Sequence, residues 1–250
     1  MIVMKYSRLK IDFEIRESSF YKNYRSYILS FIKHVLQMGN SDFFSELYLS
    51  GKPLQKDFTF SVYVPFAKDA FKIPHNKVPL TKNEISICFS IFDYKTFVHF
   101  YNMFVNYRGK EDTSKYPLVV KNISSVTQKS IAKDQISIKF LSPLVLRRHD
   151  KNTNKDYYID CFHSDFNDQL NVNVNAMLKK FELIFNDTQI KLEPIDQKSN
   201  RTVVKFLDAT IGCSYGRFVL SGDAKILSLL YKTGIGSRRS EGFGMFEVLG

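Results

Sequence analysis

Tyr6-Ser-Arg-Leu-Lys-Ile-Asp-Phe-Glu-Ile15 is the stretch from which the fold of this chain can be worked out. Apolar residues at positions 9, 11, 13 and 15 alternate with charged ones, and a period of two is typical of a β-strand with one buried face. Residues 23–38 then carry apolar residues at three- and four-residue spacing and stop at Gly39-Asn40, which predicts an amphipathic helix. The chain therefore starts as a strand followed by a helix.

The elements that follow complete a first domain. Residues 58–64 are aromatic and β-branched and end at Pro65, so they predict a strand. The other predicted elements of this half are a short helix over 42–49, a partner strand over 84–91, a helix over 94–105 and a strand over 117–126. Apart from the short helix, the order is β-α-β-β-α-β.

The second half repeats this order. Its predicted elements are strands over 135–141, 189–192, 202–207, 211–220 and 243–249 and helices over 165–185 and 224–231. With one extra hairpin strand, this is again the split β-α-β unit of the ferredoxin-like fold. We predict an α+β protein of two tandem ferredoxin-like (RRM-like) βαββαβ domains, residues 1–126 and 127–250, linked within residues 124–132.

The charge balance indicates a polyanionic partner. The 36 Lys and Arg outnumber the 25 Asp and Glu, which gives a formal net charge of +11 and a pI near 9.4. A surplus of this size attracts polyanions over a long range, and nucleic acid is the commonest of them. The alternative is a compositional bias, because Lys, Asn, Ile and Phe are all abundant here.

Cysteine usage and hydropathy indicate an unexported protein. Cys88, Cys161 and Cys213 are too few and too widely spaced for a disulfide framework or a zinc site. The start of the chain lacks a signal-peptide pattern, and no stretch approaches the roughly 20 apolar residues of a membrane span. We expect a cytoplasmic protein that needs no metal and no cofactor and does not bind a membrane.

A basic glycine-rich loop precedes the last predicted strand. Five of the 11 glycines stand at positions 234, 236, 242, 244 and 250. Glycine allows positive φ and close approach of a ligand, and consecutive amides can cradle phosphate oxygens. A dinucleotide fingerprint would need a glycine where Arg239 stands, and the Gly-Lys-Ser/Thr of a Walker A loop is absent. The loop is therefore a phosphate-binding candidate, with a long solvated turn as the alternative.

Three segments together resemble a known family. The tail from Tyr231 to Val248 looks like the terminal signature of the CRISPR repeat-processing endoribonucleases, the "Cas-six" family of the RAMP superfamily. Leu141-Ser-Pro-Leu-Val-Leu-Arg-Arg148 is similar to its Ser/Thr-Pro strand with trailing basic residues, and residues 58–63 are similar to its F-T-F-S strand. The resemblance spans nearly the whole chain.

This resemblance implies a function. Members bind CRISPR repeat RNA, often a short hairpin, and cut precursor transcripts once by attack of a 2′-hydroxyl, without metal, to give guide RNAs. The alternative is a non-catalytic RNA-binding subunit of a CRISPR interference complex. CRISPR repeat RNA is the expected partner, other interference subunits are further candidates, and the chain is expected to be a monomer or a homodimer.

Basic and loop residues are the predicted RNA contacts. Phosphate contacts carry affinity, and the shape of a hairpin carries much of the specificity. For Arg147 and Arg148, the alternative is a solvent-exposed charged surface without a ligand. The set comprises Arg147, Arg148, Lys232, Gly234, Gly236, Ser237, Arg238, Arg239, Ser240, Gly242 and Gly244.

Cleavage by a 2′-hydroxyl needs a base, an acid and a cation. The family commonly places a histidine between the first helical region and the F-T-F-S strand, where this chain has Tyr48. A tyrosine, with a pKa of about 10, needs a cation such as Lys52 or Lys56 beside it to act as a base, although it can donate a proton unaided. His34, at the edge of the apolar stripe of the first helix, is the other candidate.

Each of the remaining candidates has a structural alternative. His34 can be a packing residue at the edge of its helix. His163 precedes a helix, where a polar residue is common. Tyr24 and Tyr27 can serve as site residues, but their helical spacing favours the core.

Overall fold

The computed structural model describes residues 6–49, 56–150, 152–195, 201–207 and 209–249, with the backbone alone for residues 6 and 7. These residues form two compact units. The first contains residues 6–49 and 61–128, and the second contains residues 56–60 together with residues 129–249. The second unit therefore includes a short segment that is distant from it in sequence.

The first unit is a four-stranded antiparallel sheet with helices between its strands. Its elements are β1 (Tyr6–Ile15), β2 (Ser19–Tyr21), α1 (Tyr24–Gly39), α2 (Ser41–Tyr48), β3 (Phe58–Tyr63), β4 (Lys77–Pro79), β5 (Glu84–Ile91), α3 (Tyr94–Tyr107) and β6 (Leu118–Thr127). The strand order is β3-β5-β1-β6, and β1 pairs antiparallel with both β5 and β6. The short strands β2 and β4 form a separate ribbon.

An aromatic core holds this unit together. The alternation of β1 buries Phe13, whose ring meets Phe31 of α1 edge-on at 5.4 Å and Phe104 of α3 at 5.9 Å. Phe89 of β5 meets Phe100 of α3 at 4.9 Å. Each fully buried ring contributes about 1.5–3 kcal/mol, so the predicted period-two pattern is also the pattern of the core.

The second unit repeats the architecture. Its elements are β7 (Gln135–Phe140), β8 (Leu146–Asp150), β9 (Lys155–Ile159), α4 (Phe166–Lys180), β10 (Lys191–Pro194), β11 (Arg201–Phe206), β12 (Ala209–Ser214), β13 (Arg217–Ser221), α5 (Ala224–Thr233) and β14 (Phe246–Val248). The sheet order β10-β13-β7-β14 places the last strand beside the first, as in the first unit. Both sheets thus have ferredoxin-like order, which confirms the predicted fold class.

Two antiparallel ribbons are inserted into this second unit. The β8–β9 ribbon lies between β7 and α4 in the chain, and the β11–β12 ribbon lies between β10 and β13. Periodicity predicted neither β8 nor β9, although the family resemblance indicated a strand with trailing basic residues over 141–148. Within the described residues, no helix combines the length and apolar character that crossing a membrane requires.

Two predicted boundaries were wrong for a local backbone reason. The strand predicted over 211–220 is two strands, because Gly216 adopts a φ of +117° and turns the chain between β12 and β13. The helix predicted to reach residue 185 ends at Lys180, because Glu182 takes a left-handed φ of +55°. Positive φ stops a right-handed helix.

Candidate nucleic-acid interface

The glycine-rich loop connects α5 to β14 and is held by its own backbone. Ile235 N donates to Gly244 O at 2.9 Å, and Gly244 N donates to Pro143 O at 2.8 Å. Ser237 N donates to Val145 O at 2.7 Å. These amides are consumed by internal hydrogen bonds, so they are not free to cradle a phosphate.

Close packing explains the glycines. Gly244 has a φ of +72°, and a Cβ there would overlap the Ile235 carbonyl oxygen. Gly236 has a φ of +83°, and its Cβ would lie 2.5 Å from Val145 O. Gly234, Gly242 and Gly244 are buried. The expectation that these glycines open the loop to a ligand therefore needs correction, because they allow the loop to pack against its own backbone and its neighbours.

Residues 56–60 form part of that packing within the second unit. Thr59 Oγ1 donates to Phe243 O at 2.7 Å. Arg239 donates from Nη1 to Thr233 O at 2.9 Å and from Nη2 to Lys56 O at 3.2 Å. The residues similar to the family's F-T-F-S strand thus support the loop.

Arg239 also needs reassignment. Its side chain is 6% exposed, and burial lowers the pKa of the guanidinium to about 10, so it stays protonated at neutral pH. It satisfies carbonyls at the end of α5 and at Lys56. We had expected it to contact RNA, but its buried position makes it a residue that holds the loop.

The tip of the loop, by contrast, reaches the surface. Ser237 Oγ donates to Asn173 Oδ1 of α4 at 2.8 Å and accepts a hydrogen bond from Arg147 N of β8 at 3.2 Å. Ser240 is half-buried at the tip, and Lys232 is half-buried in the last turn of α5. Ser237 therefore fixes the loop to both the helix and the ribbon.

Arg238 connects the loop to the β8–β9 ribbon. Its φ of +57° is unusual for a non-glycine residue. The guanidinium donates to Glu241 Oε2 at 2.8 Å and to Tyr158 OH at 3.1 Å. It lies 5.8 Å from the ring centroid of Phe206. A strained backbone that supports a half-buried charged side chain is a feature found at binding sites.

One face of the ribbon continues this surface. Arg147 stands opposite Tyr158, and His149 stands opposite Asp156. Asp156 accepts from Arg147 at 3.2 Å and from His149 Nδ1 at 2.9 Å, and the bond from His149 is the main reason that the pKa of Asp156 is lowered. We call Ser237, Arg238, Arg147, His149 and Tyr158 the loop–ribbon surface.

The sequence prediction recovered only part of this surface. Arg148 points to the opposite side of the ribbon and donates to Asp165 at 3.0 Å. His149 and Tyr158 were missed, because their signal is a strand period of two that places positions 147 and 149 on one face. That signal becomes visible only once β8 is recognised as a strand.

The candidate catalytic residues lie on α1 and α2. Tyr48 ends α2, with its ring stacked on Phe44 at 5.4 Å. Lys33 of α1 holds its ammonium nitrogen 4.9 Å from the Tyr48 ring centroid. Within the described residues, Lys33 is a cation beside Tyr48, while the predicted Lys52 lies outside them. Lys56 is half-buried, and its carbonyl accepts from Arg239.

His34 has the surroundings of a packing residue. Its ring centroid lies 5.2 Å from that of Tyr116. Nε2 is buried and has no hydrogen-bond partner among the described residues. Burial, helped by nearby Lys115, lowers the pKa of His34, so the imidazole is neutral at pH 7. An Nε2 without solvent contact is badly placed to take a proton from RNA.

The other histidines and acidic groups add no competing centre. His163 Nδ1 accepts from Asp165 N at 3.1 Å, which ties it to the turn before α4. Across the described ranges, no cluster of three His, Cys, Asp or Glu side chains could hold a metal ion.

The fold and the C-terminal sequence of this chain are similar to those of known proteins. Two ferredoxin-like units with a glycine-rich loop before the final strand define a tandem ferredoxin-like protein. Residues 126–248 match the family model described as CRISPR associated protein Cas6, C-terminal, and this range includes the whole loop–ribbon surface. Residues 126–248 are therefore a C-terminal domain of the Cas6 family.

Solved structures share the fold over nearly the full length. The product of a Cas6-related gene from Pyrococcus furiosus has a TM-score of 0.78 at 20% identity, covering 98% of both chains. A RAMP protein described as binding different RNA substrates has a TM-score of 0.77 at 17% identity, covering 97% of this chain and 99% of its own. A CRISPR associated protein Cas6 has a TM-score of 0.74 at 18% identity with the same coverage. A search of curated proteins found no match.

Proposed function

We propose that this protein is a metal-independent endoribonuclease that binds CRISPR repeat RNA and cuts precursor transcripts into guide RNAs. The observation that carries the proposal is the loop–ribbon surface, where a strained loop places Arg238 beside Tyr158 and ties Ser237 to Arg147. The Cas6 family match spans this surface. Solved Cas6 structures include a product complex with a TM-score of 0.69 to this chain at 11% identity.

The loop–ribbon surface is better suited to recognising the geometry of an RNA phosphate than to attracting RNA by net charge. Its guanidiniums can form forked bonds to phosphate, but Asp156 and Glu241 already engage Arg147 and Arg238. Those carboxylates orient the donors and offset their charge. The phosphate that binds here must therefore fit a fixed geometry, which favours the shape of a repeat hairpin.

Long-range attraction comes mainly from the first unit. Residues 1–54 and 61–128 contain 17 Lys and Arg against 10 Asp and Glu, whereas the other residues contain 19 against 15. The first unit thus holds an excess of seven positive charges and the second an excess of four. RNA affinity should fall steeply with salt as counterions are released.

The proposed chemistry starts with transfer of the 2′-hydroxyl proton to a water molecule. The 2′-oxygen attacks phosphorus, the bond from phosphorus to the 5′-oxygen breaks, and the 5′-oxygen takes a proton. The products are a 2′,3′-cyclic phosphate and a 5′-hydroxyl. We assign Tyr48 as the proton donor, with Lys33 stabilising the phenolate that remains. The Tyr48 hydroxyl oxygen is as buried as His34 Nε2, so this assignment requires that RNA binding expose it. Lys52 and Lys56 stay as the proposed cations for the phosphate charge.

One observation favours an alternative function. Tyr48 stands where the family's histidine is expected, and the Nε2 atom of His34 is buried. A chain without an accessible histidine at that position can hold RNA without cutting it. The alternative is a non-catalytic RNA-binding subunit of a CRISPR interference complex.

Incubation of the protein with its cognate repeat RNA in EDTA separates the two functions. We expect a single cut that leaves a 5′-hydroxyl, and we expect a 2′-deoxy nucleotide at the cut position to abolish it. Tight binding without cleavage would establish the RNA-binding subunit instead.

Single substitutions test the chemistry. Tyr48→Phe removes the proton donor and Lys33→Ala removes the adjacent cation, and each should slow cleavage at least tenfold, about 1.4 kcal/mol of barrier. Tyr94→Phe is the matched control, because Tyr94 is 63% exposed at the start of α3. If both Tyr48→Phe and Lys33→Ala cut at the rate of this control, the assignment fails.

A further inference from the structure

Three aromatic rings form a surface cluster beside the β2–β4 ribbon of the first unit. Phe71 meets Phe66 edge-on at 5.0 Å, and Phe66 lies 5.9 Å from Tyr24. Phe71 is 60% exposed, and the other two are half-buried. Helical spacing favoured a core position for Tyr24, but its ring joins this cluster. We call Tyr24, Phe66 and Phe71 the aromatic platform.

The exposed ring of the platform is held in place. Phe71 lies in a single 3₁₀ turn, Ala70–Lys72, whose Ala70 is buried. Lys22 Nζ donates to the carbonyls of Phe71 and Ile73 and thereby fixes the end of the turn. Asp69, with a left-handed φ of +60°, directs the chain into it. Phe71 is thus presented to solvent by a braced turn, which lowers the entropy cost of binding.

Positive charge exceeds negative charge around the platform. Residues 19–27 and 63–82 contain six Lys or Arg and a single acidic residue, Asp69. Two of the six are ion-paired, Lys72 with Asp69 at 3.0 Å and Lys77 with Glu17 at 2.5 Å. The Arg25 guanidinium carbon lies 4.7 Å from the Tyr24 ring centroid, Lys68 precedes the 3₁₀ turn, and Lys72 ends it. The six basic residues are Lys22, Arg25, Lys68, Lys72, Lys77 and Lys82.

The combination of aromatic rings and basic residues indicates whether the platform binds a protein or a nucleic acid. A protein partner would bury the lysines, and interface cores are depleted of Lys. Unpaired nucleic acid offers base faces for the rings and phosphates for the ammonium groups. Aromatic rings with interleaved cations therefore favour single-stranded RNA.

We propose that the aromatic platform binds unpaired nucleotides of the RNA substrate by stacking a base on Phe71, while Lys68 and Lys72 contact the adjacent phosphates. Stacking on a π-face tolerates any base, so the platform would hold unpaired RNA without reading its sequence. The identity of that RNA as a CRISPR transcript rests on the proposed function, whereas the stacking itself does not.

Fluorescence anisotropy with three labelled RNAs tests this proposal. They are the cognate repeat with its unpaired flanks, the same repeat trimmed to its paired part, and a short oligouridine. Phe71→Ala should weaken binding of the flanked repeat and of oligouridine about tenfold, and it should leave the trimmed repeat within about twofold. Tyr94→Ala, which removes an exposed ring elsewhere in the same unit, should change none of the three.

Two conservative variants separate stacking from apolar contact. Phe71→Tyr keeps the ring and should bind like the wild type. Phe71→Leu keeps an apolar side chain without a ring and should bind like Phe71→Ala. Wild-type RNA affinity in Phe71→Leu or in Phe71→Ala would overturn the proposal and would leave the rings as a protein-docking surface.

The oligouridine arm makes the two failures distinguishable. If the wild type neither cuts nor selectively binds the repeat, the proposed function fails, and loss of oligouridine binding in Phe71→Ala still supports the platform. If the wild type cuts the repeat and Phe71→Ala binds all three RNAs normally, the platform fails and the proposed function stands.

Discussion

Arg238 and Arg239 are neighbours in sequence with opposite expected roles, and substituting each with methionine separates them. Arg239 donates hydrogen bonds to Thr233 O and Lys56 O from a site that is 6% exposed. A hydrogen bond to a charged group contributes about 1.5–3 kcal/mol, and burial of the guanidinium offsets part of that gain. We expect Arg239→Met to lower the free energy of unfolding by about 3 kcal/mol.

Arg238→Met is the matched control. Its side chain is 22% exposed, and its ion pair with Glu241 is partly screened by solvent, so we expect a loss of about 1 kcal/mol. The chain has no tryptophan, so urea unfolding is best followed by far-ultraviolet circular dichroism. RNA affinity should show the reverse order: Arg238→Met binds repeat RNA at least fivefold more weakly, and Arg239→Met stays within about twofold under conditions where it is folded.

Two results would refute this reasoning. One is a loss below about 1 kcal/mol for Arg239→Met, which would mean that the two carbonyl bonds contribute little. The other is a loss of RNA affinity in Arg239→Met equal to that in Arg238→Met with unfolding unchanged, which would return Arg239 to the binding surface.

Two further predictions concern stability. Gly244→Ala should lower the free energy of unfolding by more than about 3 kcal/mol or prevent folding, because the new Cβ would overlap Ile235 O at a residue with positive φ. The control is Gly109→Ala, at a φ of +79° in open space, which should lower the free energy of unfolding by about 1–2 kcal/mol. Equal losses for the two variants on thermal unfolding would contradict the packing argument. Because burial lowers the folded-state pKa of His34, the unfolded state takes up its proton first, so stability should fall as pH drops below about 6.5. His34→Gln should lose less stability over that window than the wild type or the control His75→Gln, and parallel curves for all three would exclude the effect.

The local hydrophobic pattern was sufficient to predict an element wherever one face of that element is buried and the other is exposed to solvent. Strand β1 and strand β5 lie where their alternation predicted them, at Tyr6–Ile15 and Glu84–Ile91. Helix α1 differs from its prediction by one residue at each end. In these elements the hydrophobic period and the burial have the same cause, so the sequence pattern is a direct record of the core.

Periodicity missed the β2–β4 and β8–β9 ribbons for the opposite reason, whereas it predicted strands that correspond to the β11–β12 ribbon. β2 and β4 are three residues each, which is too short for a period to show. In β8 the exposed run Arg147-Arg148-His149 has no apolar alternation, because both faces of its outer part are solvated. Backbone pairing with another segment creates such strands, whether that segment is near in the chain, as for β8–β9, or distant, as for β2–β4, and the period of a single segment does not record that pairing.

For the candidate site, the sequence located the region, and the tertiary contacts assigned the roles. The clustering of glycines at 234–244 and the basic pair at 238–239 were visible in the chain alone. Their directions were not, because a positive φ at Arg238 directs one guanidinium to Tyr158, while the next residue is buried against Thr233 and Lys56. Likewise, the contact of Lys33 from the preceding helix with the Tyr48 ring was not visible in the sequence, and the predicted Lys52 lies outside the described residues.

By itself, then, the sequence determined the order of elements, the α+β class, the positive charge and the position of the glycine-rich loop, since each depends on composition or on a period within one segment. Only the tertiary structure decided which basic residues are surface donors and which are buried supports, because that depends on contacts between segments far apart in the chain. Arg239 illustrates the division: its charge was evident from the sequence, and its partner at Lys56, 183 residues away, was not.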